Sequence, residues 1–257
     1  MHILVVTAVP AERDAVTAAT AGRPERIPVP GGFVLHRTRP AAAGGVSGSP
    51  GAAEGPYVLD ALAAGVGPAA AAAGAASALT AAALGATTAG ESSGYDLVIS
   101  AGIGGGFQPA APVGALVVAD DIAAADLGAE TPDGFLPVTA LGFGTDAHRP
   151  PEELVAAVAA ATGALPGTVL TGSTVTGSAA RAKELLDRHP RALAEAMEGF
   201  GVAEAAAAHG VPVLELRTIS NPVGPRDRAA WRIGEALAAL TAAFADLPRA
   251  LSARSTP

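Results

Sequence analysis

Short apolar runs alternate with alanine-rich helical stretches along almost the whole chain, and that alternation dictates the fold class. A run of four to eight aliphatic or β-branched residues reads as a strand, and a longer small-residue stretch between two such runs as the helix connecting them. Repetition of this unit builds an α/β sheet with helices packed on it. The strand pattern falls at His2–Thr7, Tyr57–Ala63, Asp96–Ala101, Ala115–Ala119, Thr168–Thr171, Leu193–Met197 and Val213–Ile219. The helix pattern falls at Ala11–Thr20, Pro68–Leu84, Glu152–Ala161, Ser178–Arg188, Gly199–His209 and Arg226–Leu247. Pro68 in a first turn and Gly210 after a last one are ordinary start and stop marks. At 257 residues the chain can build one large core and only just two, so one domain over residues 1–250 is expected. The stretch from Pro40 to Pro56, rich in Gly, Ala and Ser, buries too little to offset its ordering and is expected as a flexible surface loop. Residues 251–257 are expected as a frayed tail.

Composition removes several classes of function. A formal charge of −8 argues against a nucleic-acid partner, which would need clustered Lys and Arg. The absence of cysteine excludes disulfides, thiolate zinc sites and Cys nucleophiles, and fits a reducing, cytoplasmic setting. Met1–Thr7 enters a strand pattern without a basic leader, so a signal peptide is not expected. The uncharged stretch 61–90 is longer than a membrane span, but it is mostly Ala and Gly with Pro68 inside it. Alanine gains little from lipid, so a strand and a buried helix are expected there and no membrane partner. The five histidines, at 2, 36, 148, 189 and 209, lack metal-ligand spacing, and no metal or cofactor is expected. No G-x-S-x-G elbow is present.

Three segments place polar side chains where strand patterns end, which is where open α/β sheets bind ligands. Thr7-Ala-Val-Pro-Ala-Glu12 follows the first strand. Ala194-Glu-Ala-Met-Glu-Gly-Phe-Gly-Val202 sets Met197 and Glu198 before a helix, and Leu214-Glu-Leu-Arg-Thr-Ile-Ser-Asn-Pro-Val223 ends at Asn221. Together they resemble the nucleoside phosphorylase and nucleosidase family, enzymes that cut the bond between a purine and a ribose. The resemblance runs from Met1 to about Leu247 and is strongest at four short motifs. It implies a three-layer domain whose mixed central sheet is flanked by helices and closes partly into a barrel. It also implies roles: Glu12 as the base that deprotonates water, Glu198 as acceptor for ribose hydroxyls, Met197 packed on the sugar, and Asn221 stabilising the departing base. Adenine-specific members carry Asp where Asn221 stands. An acid can protonate N7 and accept from a 6-amino group, whereas an amide can donate to a 6-oxo group, so hypoxanthine is the expected base. Ser220 is placed to buttress that amide. Plainer roles stand beside these. Glu12 would complement a helix dipole, Met197 would fill the core, and Asn221 before Pro222 would form a turn.

The run Ala101-Gly-Ile-Gly-Gly-Gly-Phe107 is neither a dinucleotide fingerprint nor a P-loop. In the family the corresponding loop brings backbone to the ribose and the nucleophile, which makes Gly104 a substrate-binding candidate. Phe107 would cover base or sugar, or sit in the core. Many nucleosidases have Ser where Ile103 stands, so a side-chain role for this loop is not implied. Ala64-Gly-Val-Gly-Pro68 resembles a glycine turn near the ribose, and Thr171-Gly-Ser-Thr-Val-Thr176 the segment lining the purine, with Val175 and Thr176 as candidates. Phosphorylases of this kind commonly place Arg just before the glycine loop. Here the strand is Asp-Leu-Val-Ile-Ser-Ala101, so water is the expected nucleophile. The amide at 221, the long insertion and the segment Ala125-Asp-Leu-Gly-Ala-Glu130 together resemble a hydrolase branch acting on an inosine-like nucleoside with a 5′ carboxyphenyl ketone. Arg226 and Arg228 are the cations available for that carboxylate, or else a solvated helix start. An adenine-releasing nucleosidase and a nucleoside-binding protein without chemistry are the alternatives. The family forms homo-oligomers, and a dimer or tetramer is expected.

Overall fold

The computed structural model describes residues 1–20, 22–39, 57–89 and 94–252. The expected loop 40–56 and the last five residues of the expected tail lie outside them. Strand β1 (His2–Thr7) leads to helix α1 (Pro10–Ala18), followed by strands β2 (Glu25–Val29) and β3 (Phe33–Thr38). Strand β4 (Val58–Ala63) runs into α2 (Pro68–Ala89). Then come β5 (Leu97–Gly106), β6 (Leu116–Ala124), a small hairpin of β7 (Gly128–Thr131) and β8 (Gly134–Pro137), and the two-residue β9 (Ala147–His148). Helix α3 (Glu152–Thr162), β10 (Leu165–Thr171), α4 (Ala179–Arg188), β11 (Ala192–Ala196), α5 (Gly199–Ala208), β12 (Val213–Pro222) and α6 (Ile233–Ser252) complete the order.

The main sheet runs β11-β10-β6-β12-β5-β1-β4-β3-β2 and is mixed. β11 also returns to pair antiparallel with β5, so β5, β12, β6, β10 and β11 close into a five-stranded barrel. Strands β1 to β4 continue as an open wing. Both faces of this sheet are covered, which explains its near-continuous apolar strands. On β1, Ile3 and Val5 face the cluster built with α1, α3 and α6, while Leu4 and Val6 face the one built with α2 and α5. All four are fully buried. Helix α2 is long and apolar enough over Pro68–Gly85 to cross a membrane by composition. Here its Ala71, Ala75, Ala78 and Leu79 share one face and pack in the core.

The sequence pattern does not call for the β7–β8 hairpin or β9, and three further regions differ from it. Residues Gly102–Gly106 continue β5 as a strand paired with β12 instead of forming a loop. The β2–β3 hairpin carries Pro28 and exposed Glu25 and Arg26, an edge-strand composition without an apolar run. The last helix begins at Ile233, not Arg226. The residues between β12 and α6 include Pro225 and one 3₁₀ turn at Arg228–Ala230, where the Asp227 side chain accepts from the Ala229 N–H. The Arg232 N–H donates to the Ser220 carbonyl, folding this segment back over the end of β12.

Candidate active site

A cavity of about 340 Å³ opens at the carboxyl ends of β1, β5 and β12. That is the size class of small-molecule sites. Its lining includes Glu12, Gly104, Val175, Thr176, Met197, Glu198, Ser220, Asn221 and Arg226, so the sequence-predicted site residues meet there except Phe107 and Arg228. Phe107 turns away at the end of β5 into a separate apolar cluster with Leu170 and Leu185, buried as a core residue. The alternative core role for Phe107 is the one the fold uses.

Glu12 sits in the first turn of α1 and is almost wholly buried. Its Oε2 accepts from the Ala8 and Val9 N–H groups at 3.0 and 3.3 Å, and its Oε1 from the Ile103 N–H at 2.9 Å. It therefore caps its helix and faces the cavity with the same carboxylate. Burial pushes its pKa up, while the Arg217 guanidinium and the backbone donors pull against that rise. A carboxylate that holds a proton more readily than usual is suited to take one from water. Glycine at 102 is required here: a Cβ would stand 2.5 Å from Glu12 Oε1 and 2.8 Å from Arg217 Nη1.

Glu198 stands at the N-cap of α5. Its Oε1 accepts from the Gly67 N–H at 3.2 Å and its Oε2 from Arg217 Nη1 at 3.2 Å. The Gly-Val-Gly turn before α2 thus reaches the same carboxylate that the Met-Glu motif supplies. Asn221 follows a bulge in the β12–β5 ladder and pairs with Gly105. Ser220 Oγ lies 2.8 Å from Asn221 Oδ1 and donates to it, which leaves Nδ2 as the amide's donor face. Nδ2 lies 3.0 Å from the Pro222 carbonyl.

Three buried residues at the site escaped the sequence argument. Arg217 is fully buried and binds Glu215 Oε1 at 2.8 Å, Glu198 at 3.2 Å and Ser100 Oγ at 2.9 Å. Burial opposes its charge, but Glu215, Glu198 and Glu12 together raise its pKa. Glu215, also fully buried, is pushed up to about 6 by burial against the pull of Arg217. Glu195, on β11, lines the cavity beside Thr176. Its place two residues before Met197 was the available signal. At the rim, Trp231 and Arg226 join the lining while Arg228 does not. Both guanidinium groups lie 5.7 Å from the Trp231 ring.

Strand-end carboxylates and an amide around one cavity, on a barrel with an open wing, define a nucleoside-cleaving class of enzyme. The chain belongs to the phosphorylase superfamily, whose family model matches residues 2–253. It is 65% identical to futalosine hydrolase of Streptomyces coelicolor, across 96% of this chain and 95% of that one. Among solved structures, a futalosine hydrolase mutant of Helicobacter pylori superposes with a TM-score of 0.74 at 20% identity, covering 96% of this chain and 98% of the other. A methylthioadenosine/adenosylhomocysteine nucleosidase of Colwellia psychrerythraea in complex with adenine gives 0.71 at 19% identity, covering 98% and 95%. These two likenesses show the shared fold.

Proposed function

We propose that this chain is a futalosine hydrolase, which uses water to cleave the N-glycosidic bond of futalosine. The products are hypoxanthine and dehypoxanthine futalosine, a step of menaquinone biosynthesis. The observation that carries the reading is the meeting of Glu12, Glu198 and Asn221 in one cavity. Each meets one demand of the reaction. Glu12 takes the proton of the attacking water, a contribution of about 10²–10⁴-fold in rate. Glu198 accepts from the ribose hydroxyls and faces the positive charge that grows on the sugar. Asn221 Nδ2 donates to N7 or O6 as electrons flow into the departing base, and its Oδ1 is held by Ser220. Met197, Val175 and Thr176 shape the walls for sugar and base, and Gly104 lets backbone approach.

Water fits this cavity better than phosphate. The Arg217 guanidinium is engaged by two carboxylates and a serine hydroxyl. Among the described cavity-lining residues the one guanidinium is Arg226, at the rim beside Trp231. An anionic nucleophile would meet Glu12 and Glu198 instead. Futalosine is inosine-like and carries a carboxyphenyl ketone at its 5′ end. Arg226 and Trp231 suit that end, and Arg228, outside the cavity lining, does not reach it in this arrangement. We place the enzyme in the cytoplasm as a homo-oligomer. Support comes from its cysteine-free sequence and from Leu136, Leu141 and Phe143, apolar side chains exposed at 42%, 39% and 68%.

The test is chromatographic assay of base release from futalosine, inosine and methylthioadenosine, each with and without phosphate. Hypoxanthine from futalosine, independent of phosphate, is the expected result. Adenine from methylthioadenosine in its place would overturn the role given to Asn221.

A further inference from the structure

Glu215 is a fully buried carboxylate on β12 that lies behind the cavity wall, and the reaction described above gives it no part. Its Oε1 accepts from Arg217 Nε at 2.8 Å, while its Oε2 has no hydrogen-bond partner among the described residues. Gly199, in the first turn of α5, covers it so closely that a Cβ there would stand 2.1 Å from Oε2 and 2.3 Å from Oε1. A half-satisfied acid is costly in such a place. Replacing a buried ion pair by apolar groups is often neutral or stabilising, so stability alone does not account for this glutamate.

What Glu215 holds explains its place. Arg217 gives each of its three nitrogens a different partner: Nε goes to Glu215, Nη1 to Glu198 Oε2 at 3.2 Å and Nη2 to Ser100 Oγ at 2.9 Å. Three anchors on a planar group fix its rotation as well as its position. Nη1 carries a second N–H beyond the one given to Glu198. That nitrogen and Glu12 Oε1 face each other over Gly102, 2.8 and 2.5 Å from where a Cβ would be. Arg217 forms its ion pairs with Glu198 and Glu215, and Glu12 stays just outside that contact. A guanidinium released at Nε would be free to cross the space over Gly102 and close on Glu12. The charged groups around Glu12 are Arg217 and Glu198, and those around Glu215 are the same two. Glu215 therefore bears on the base through Arg217.

We propose that Glu215 is a positioning residue: by taking the Nε–H of Arg217 it holds the guanidinium on Glu198 and Ser100 and keeps it from pairing with Glu12. The base is thereby left free for the attacking water. The proposal rests on the hydrolase reading and adds to it a residue outside the cavity. The tether needs an acceptor oxygen at 215 rather than a charge, so glutamine should serve there and methionine should not.

The experiment records kcat/KM against pH for hypoxanthine release from futalosine by wild type, Glu215→Gln and Glu215→Met. The acid limb of that profile reports ionisation of the base in the free enzyme. In Glu215→Met the limb should move down by about 1–3 pH units, the shift that a new Arg–carboxylate pair imposes. The plateau should fall about tenfold or more as the paired base weakens. Glu215→Gln keeps the acceptor and should leave limb and plateau near wild type. A plateau loss in Glu215→Met with the limb unmoved would reduce Glu215 to a packing residue and overturn the proposal. Equal losses in the two variants would trace the effect to charge and overturn it too. If Glu215→Met folds poorly, nitrogen NMR of wild type carries the test. The Arg217 Nε–H should exchange slowly with solvent and stay protected in Glu215→Gln, whereas fast exchange in wild type would mean that no tether exists. Failure of wild type to release hypoxanthine from futalosine would instead remove the hydrolase reading, and the NMR result would still decide the tether.

Discussion

Asp60 and Glu12 are both buried carboxylates near opposite ends of the open wing, and the fold treats them in opposite ways. Asp60 receives a two-pronged grip from Arg37 at 2.7 and 2.8 Å, His2 Nε2 at 2.8 Å and the Tyr95 hydroxyl at 2.8 Å. Burial alone would raise its pKa, but these partners overcome burial and hold the carboxyl well below the usual range. Glu12 receives three backbone donors and, among the described residues, no direct ion pair, and there burial prevails. A cavity of about 700 Å³ borders the Asp60 cluster, against about 340 Å³ at Glu12. The larger hollow borders a carboxylate held by a cation, and the smaller one borders a carboxylate held by backbone donors. The kind of partner, rather than the volume of the hollow, marks the chemistry.

The largest expected effect is at Glu12. Glu12→Gln should lower kcat on futalosine by about 10²–10⁴-fold with KM little changed, measured by initial rates of hypoxanthine release. Wild-type turnover in that variant would remove Glu12 as the base. Next is Arg217→Met, which leaves Glu215 and Glu198 without their cation. Loss of one partner from a buried ion pair costs about 3–5 kcal/mol, readable by denaturant unfolding. A change under about 1 kcal/mol would mean that the carboxylates accommodate by taking up protons.

Arg217 also marks the limit of what the sequence disclosed. Glu12, Glu198 and Asn221 are legible because each interrupts or follows an apolar run at a strand end. Arg217 and Glu215 alternate with Leu214 and Leu216 in the middle of a strand, a pattern that ordinarily means a solvated face. Here α5 covers that face, and its Gly199 packs so closely on the Glu215 carboxylate that a Cβ would stand 2.1 Å from Oε2. Only tertiary packing reveals that the polar side is interior. The glycine run after Ala101 misled in the other direction. Its composition spells a loop, yet it extends β5 because Glu12 and Arg217 occupy the space where side chains would be. Phe107 shows the same dependence, since nothing local distinguishes a core phenylalanine from one above a substrate.

A smaller effect sharpens the contrast between the two ends. Asp60→Asn should cost about 1–3 kcal/mol of stability while leaving kcat near wild type, because its partners bear on no substrate atom. The pH dependence separates the cases further. Asp60 has a folded pKa below its unfolded one, so its stabilisation is present above about pH 4 and is lost as pH falls further. Glu215, raised from 4.5 to about 6, does the reverse: the native state holds the proton more tightly, so stability grows as pH falls from 6 toward 4.5. Thermal unfolding should therefore show a small gain between pH 7 and 5 that Glu215→Gln reduces and Glu12→Gln reduces further. It should also show a steep loss below pH 4 that Asp60→Asn flattens. A gain of full size in Glu215→Gln would assign it to other groups.

The most direct test of the central claim is to run the futalosine reaction in ¹⁸O-water with phosphate present and weigh the sugar product. The account requires one ¹⁸O at the anomeric hydroxyl of dehypoxanthine futalosine and no phosphate ester. A sugar 1-phosphate without label would contradict it and make the enzyme a phosphorylase.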